Sequence, residues 1–290
     1  MSAAPTPVPA PSLRARRGRR GVVNVAMLTL CALCGVIVLV PLFAVLAYVV
    51  AQGAAGLSPT LIATTHNNGG GILNAIAGTL FLILIACVVG LPIGLLGGIY
   101  LAEFGRGHFA TVVRFVSDVM AGLPSIVAGL VAYGLIVTLT HGFSALSGGV
   151  ALGLLMFPTV LRTTEGVLRL VPDGLREGGM ALGLPRWRVI LRIVLPTAAG
   201  GVATAVILGI ARVAGETAPL LFTAFGSGDL PGGLLQPTDA LPLTIWNDSQ
   251  SPDPQSHAQA WAGALLLVAL LLLLNGLARL IARRYGGLVR

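Results

Sequence analysis

The sequence predicts an all-α integral membrane protein with six transmembrane helices, and three observations carry that prediction. Hydrophobic residues make up 56% of the 290 and charged residues only 10%, with a mean hydropathy of +0.92, a composition that soluble domains do not have. The apolar residues are gathered into runs long enough to cross a bilayer, which takes about 20 residues of helix. The 18 basic residues are all arginine, and most of them fall in alternate gaps between those runs. The formal net charge of +8 therefore reports topology, not nucleic-acid binding, because the basic patches carry no interleaved aromatics.

Taken in order, residues 1–20 are rich in proline, alanine and arginine and lack apolar periodicity, which predicts a disordered, basic cytoplasmic tail ending in Arg14, Arg16, Arg17, Arg19 and Arg20. The apolar run 22–50 that follows is too long for the core of a signal peptide and predicts a retained first span. With the outer loop up to residue 72, it forms a first segment ahead of a core domain over 73–282. The second span, about 73–102, carries Gly90, Gly94 and Gly98 four residues apart, small residues that let helices approach closely in lipid, and Pro92, which predicts a kink.

Glu103, Arg106 and Arg114 mark a return to the inside. The third span, about 115–139, contains Gly122-Leu123-Pro124-Ser125, which predicts a break in its helix. A fourth span follows over about 148–170, then a polar loop over 172–196, a fifth span over 197–225, an outer segment over 226–257 and a sixth span over about 260–281. A short tail, 283–290, closes the chain. Each inner loop has arginine and each outer loop lacks it, so both termini are expected in the cytoplasm of a multi-pass cell (inner) membrane protein, in contact with lipid. The outer segment includes an apolar stretch, 241–246, too short to cross. It reads as an interfacial or plug-like element or as a folded surface loop.

The polar loop has its own local grammar. Pro172 and Asp173 open a helix, with the acid at the positive end of its dipole, and Gly183 closes it. Pro185 and Trp187 begin a second helix at an angle, and Pro196 marks re-entry to the membrane. Such a helix-turn-helix suits the groove of a partner protein and can pass movement to the spans beside it. Gly178 and Gly179 each cost about 1 kcal/mol of helix propensity, which predicts a helix ordered only when docked.

Charges inside the spans are expensive, at least about 2.5–3.5 kcal/mol each on insertion scales, so they are expected to face a partner or a watery path. Arg162, Glu165 and Arg169 recur at helical spacing on the fourth span, and Arg212 and Glu216 are four apart on the fifth, with Arg212 mid-span by count. Two readings stay open. The pairs neutralise each other within their helices, or the arginines line a route for an anion while the glutamates hold them. Arginine suits a tetrahedral oxyanion because its planar fork donates two hydrogen bonds and stays charged. Cys31, Cys34 and Cys87 lie in apolar runs and read as small hydrophobes without a metal.

Within the polar loop, Glu177 is followed by Gly183 and, nine residues later, by Ile193, Leu195 and Pro196. This spacing resembles the cytoplasmic EAA loop of ABC-importer permeases, with Gly178 and Gly179 in place of the usual alanines. Gly215-Glu216-Thr217-Ala218-Pro219-Leu220, preceded by Arg212, is similar to the PstA family of phosphate-importer permeases, as are 162–165, 241–245 and 260–262. The resemblance runs from the second span to the C-terminus and implies a type I (MetI-like) ABC importer architecture.

The resemblance also implies a substrate path through Arg212, Glu216, Arg162 and Glu165, and coupling to an ATPase through Arg176, Glu177, Gly183, Ile193, Leu195 and Pro196. Implied partners are a PstC-like permease forming a heterodimer, a PstB-like ATPase dimer and a PstS-like phosphate-binding protein. The sequence has no lysine and so no P-loop, which excludes ATP hydrolysis by that route. No catalytic residue and no cofactor is expected here, with ATP and magnesium held by the partner ATPase. Other readings are a permease for another oxyanion, such as molybdate or phosphonate, and a proton- or sodium-coupled transporter using Glu165 and Glu216.

Overall fold

The computed structural model describes residues 13–286, and among them the architecture is helical throughout, apart from one isolated bridge between Phe225 and Thr238. In chain order the helices are α1 (Leu13–Gly56), α2 (Pro59–Ala63), α3 (Leu73–Glu103), α4 (His108–Gly122), α5 (Ser125–Ala132), α6 (Thr138–Thr140), α7 (Ala145–Arg169), α8 (Asp173–Ala181), α9 (Arg186–Val189), α10 (Leu195–Thr197), α11 (Ala199–Val213), α12 (Ala218–Leu221), α13 (Leu241–Ser249) and α14 (Pro254–Gly286). Single π-helical turns over Tyr133–Val137 and Ile190–Val194 join α5 to α6 and α9 to α10.

Four helices are long and apolar enough to cross a membrane, over Gly21–Gly56, Leu73–Glu103, Ala145–Arg169 and Pro254–Leu277. Two bent pairs bring the total to six. His108–Gly122 and Ser125–Thr140 meet at 107°, and Arg186–Thr197 and Ala199–Val213 at 75°. The expected third span is thus no straight rod. Leu123 and Pro124 stand in extended conformation at the predicted break, because the residue before a proline is driven out of the helical region.

The chain forms two units, 1–51 and 52–290. In the first, the apolar side chains of α1 are exposed, as a lipid-facing helix requires. Residues 1–12 of the expected tail lie outside those described, but α1 already starts at Leu13, so the arginine run continues the helix. The unit boundary also falls earlier than residue 72. Leu61 and Ile72 pack with Ala75, Leu241 and Ala262 and so belong to the core.

In the second unit the centre is the pairing of α3 with α7. A side chain added at Gly94 would meet Val160 Cβ at 2.7 Å, and one at Gly98 would meet Thr164 Cβ at 2.7 Å, so the glycine stripe serves this contact. Helix α3 runs on through Pro92 to Glu103. Leu82, Ala86, Leu152, Met156, Val160, Val213 and Leu220 fill the space between α3, α7, α11 and α12. The outer segment is built into this core. The Leu241 amide donates to Thr79 Oγ1 at 2.8 Å, and Leu241, Pro242 and Leu243 are buried. Gln236 and Leu234 carbonyls accept the first amides of α7, from Ala145 at 2.9 Å and Leu146 at 2.8 Å. This satisfies donors that a helix start leaves open, so residues 241–243 belong to the core and are not a loop lying on the surface.

Candidate functional site

At one end of α7 the chain closes with α8 and α9. Asp173 stands in the first turn of α8, Gly183 follows its end at φ +81°, and Pro185 precedes α9. The Leu184 amide reaches Gly179 O at 3.2 Å and the Gly183 amide reaches Met180 O at 2.9 Å, the paired bonds of a Schellman stop that needs a left-handed residue. Helix α8 is formed despite the poor helix propensity of Gly178 and Gly179. The reason is packing. Gly179 is buried against Ile193 and Val189, and an added Cβ there would meet Ile193 Cδ1 at 2.8 Å. Ile193, Leu195, Leu168, Val171 and Val194 form one cluster beneath the loop.

Arg176 turns inward rather than outward. Its guanidinium donates to Glu103 Oε1 at 2.8 and 3.1 Å, to Asp173 Oδ1 at 3.2 Å and to the carbonyls of Leu168 and Val171. These partners raise its affinity for its proton above the ordinary arginine value, the hydrogen bond to Glu103 contributing most. Arg186 donates to the Glu103 carbonyl and lies 4.7 Å over the Phe104 ring. Glu103 is therefore the anchor of the whole loop, a role its position at the end of a span did not signal. Arg176, Arg186, Arg106, Arg169, Glu103 and Glu177 share the lining of a cleft of about 660 Å³. Glu177 is exposed at its rim, and outside it Leu170, Trp187 and Leu182 are exposed, Leu182 by 84%.

Further up the bundle, Glu165 on α7 is buried, its side chain 5% exposed, and holds three arginines. Arg114 Nε and Arg169 Nη2 each lie 2.7 Å from Oε1, and Arg162 Nη1 lies 3.1 Å from Oε2. Arg162 turns its remaining fork to Asp118 on α4, with Nε 2.8 Å from Oδ1 and Nη2 on Oδ2. Arg114 also donates to the Leu101 and Gly105 carbonyls at 3.2 and 3.1 Å. Arg162 and Glu165 are thus no isolated pair within one helix. They join two interhelical links, 114 with 165 and 118 with 162, which fix α4 antiparallel to α7. Beside this seam the hydroxyls of Ser117 and Thr164 are buried without partners among the described residues.

Arg212 and Glu216 do pair, but not along one helix. Helix α11 stops at Val213, since Gly215 and Pro219 cannot continue it, so Arg212 is in the last turn and Glu216 in the loop beyond. Arg212 faces the negative end of the helix dipole. Its side chain is 45% exposed and continues the exposed stripe of Thr204 and Leu208. Glu216 and Leu152 line one small cavity. Arg162 lies ten residues further along α7, about 15 Å toward the α8–α9 end.

At the opposite end a second cleft, about 410 Å³, is lined by His66, Ser227, Asp239, Thr244, Asn247 and Asp248 among others. Buried Asn74 ties it together, accepting from the His66 amide at 3.1 Å and donating to Ser227 O at 2.8 Å and Asp239 Oδ2 at 2.9 Å. Burial pushes the carboxyls of Asp239 and Asp248 above the usual range. Among the described residues no group of His, Cys, Asp and Glu is arranged to hold a metal.

A bundle that keeps its arginines paired inside and closes one end with a hairpin of short helices has the build of a membrane transport subunit. Its sequence agrees: the chain belongs to the family of binding-protein-dependent transport system inner membrane components, whose pattern matches residues 94–287. It is 46% identical over 237 residues to the phosphate transport system permease protein PstA of Yersinia pestis, covering 80% of each chain. It is 40% identical over 248 residues to PstA of Mycobacterium leprae, covering 82% of each. Among solved structures, a chain of the inward-facing MetNI methionine ABC transporter superposes with a TM-score of 0.60 at 19% identity, over 79% of this chain and 99% of that one. A chain of an amino acid ABC transporter gives 0.51 at 17% identity, over 83% and 97%. These two fix the fold, that of ABC-importer permeases.

Proposed function

We propose that this chain is the permease subunit through which an ATP-driven importer moves inorganic phosphate inward. The observation that supports it best is the pair of arginine stations, Arg212 with Glu216 and Arg162 with Glu165, in a chain whose relatives at 40–46% identity are phosphate permeases by name. Each station presents a guanidinium that is partly open and partly neutralised. An anion then meets a donor fork without being held too tightly to leave.

The α8–α9 hairpin is the dock for a separate ATPase dimer, which holds ATP and magnesium and resembles PstB. Exposed Glu177, Leu182 and Trp187 suit a partner's groove, while Arg176, Gly183, Ile193, Leu195 and Pro196 shape the hairpin from within or at its turn. Buried Glu103 links it to the end of α3, so a push on the hairpin is a push on the bundle. A PstC-like permease completes the path, and a PstS-like protein delivers phosphate to the outer face. The termini then lie in the cytoplasm.

The test is uptake of labelled phosphate by proteoliposomes holding the full complex and the binding protein. Uptake that requires ATP, persists when the proton gradient is collapsed and resists excess molybdate is the expected result. Uptake driven by a proton or sodium gradient without ATP would instead make Glu165 and Glu216 coupling acids.

A further inference from the structure

Asp118 occupies Arg162 as a substrate would. Its two carboxylate oxygens take the Nε and Nη2 hydrogens of one guanidinium edge side by side, the geometry in which arginine also receives two oxygens of a phosphate. The two carboxylates of this cluster are held very differently. Glu165 is 5% exposed and shared by three arginines, so it is fixed. Asp118 is 59% exposed, and among the described residues its carboxylate bonds to Arg162 alone. The cluster of Arg114, Arg162 and Arg169 with Glu165 and Asp118 carries one net positive charge, and without Asp118 it carries two.

We propose that Asp118 is a resident surrogate for the transported anion, a specificity-setting residue that covers Arg162 and competes with phosphate at this second station. The proposal rests on the phosphate reading above. An anion arriving at Arg162 displaces a tethered carboxylate, and the same carboxylate returns to expel it. Binding at this station is therefore weak by construction, which favours release at the end of α7 nearest the hairpin. A neutral solute displaces a carboxylate paired with a guanidinium poorly, so exchange at Arg162 favours anions that offer two oxygens together.

The test is equilibrium binding of labelled inorganic phosphate to the purified, nucleotide-free complex without its binding protein, in wild type and in Asp118→Asn, Asp118→Glu and the double variant Asp118→Asn with Arg162→Gln. Asp118→Asn keeps the shape and removes the charge, and it is expected to bind phosphate about two- to fivefold more tightly, the scale of one exposed ion pair. Asp118→Glu keeps the wild-type affinity, and the double variant loses the gain. Unchanged or weakened binding in Asp118→Asn, with wild-type phosphate uptake intact, would overturn the surrogate role alone. A complex that assembles with Glu but not with Asn at 118 would also overturn it and make Asp118 a structural pin of α4. A gain for molybdate and none for phosphate would bear out the competitor role while contradicting the phosphate reading.

Discussion

Glu165 and Arg212 are the two residues on which the proposed path turns, and they differ in what surrounds them. Glu165 is buried under three guanidiniums, so its charge cannot be removed without leaving those cations facing one another. Glu165→Gln is expected to lower the stability of the detergent-purified complex by about 3 kcal/mol, the scale for breaking a buried ion pair, seen as a fall in its unfolding temperature. An unchanged unfolding temperature would mean that solvent already screens the cluster. Arg212 is half exposed with one partner. Replacement by lysine keeps the charge but loses the fork, so Arg212→Lys should transport poorly where a simple counter-ion role for Glu216 would be satisfied.

The elements could be read from the sequence where their boundaries are written in local chemistry. Gly183 at positive φ, Pro185 and the break at Leu123 and Pro124 all stand where turn residues place them. The partners of the charges could not be read, because Asp118, Arg114 and Glu103 are 44 to 73 residues from the side chains they hold. Distance along the chain hides such pairs from any periodicity. The end of α11 was legible in principle, since Gly215 and Pro219 are stop signals that the apolar run over 197–225 masked.

Two predictions belong at this scale. Position 178 has open space around it whereas 179 is packed against Ile193, so Gly178→Ala should stabilise the hairpin by about 0.5–1 kcal/mol and slow its amide exchange. Gly179→Ala, which must displace Ile193, should not. In the second cleft, the carboxyl of Asp239 sits above its ordinary range through burial, with the Ala240 amide and Thr244 opposing that rise, Asp248 reinforcing it and His66 weakly opposing it. A raised folded value means that its contribution is present in acid and lost as pH climbs through that value. Thermal stability should therefore decline from about pH 4 upward, and Asp239→Asn should flatten that slope. An unaltered slope would assign it to other groups.

At the scale of the whole molecule, the bundle joins the second cleft, the Arg212–Glu216 and Arg162–Glu165 pairs and the hairpin along the length of α7. Glu103 and Arg176 make the hairpin part of the bundle instead of a loose loop. Its outer surface is apolar at Leu182 and Trp187 without need of that apolarity for folding, so Leu182→Asp should leave the chain folded yet weaken capture of the ATPase in detergent. Glu177→Lys should do the same. Full capture by both would move the dock elsewhere.

The central claim is that phosphate passes Arg212. Cells lacking this chain, given back either wild type or Arg212→Gln, would be assayed for uptake of labelled phosphate at low external concentration, with assembly of the complex followed in parallel. The account predicts that wild type restores uptake and that Arg212→Gln assembles fully but restores none. Normal uptake with Arg212→Gln would contradict it and return Arg212 and Glu216 to a packing role.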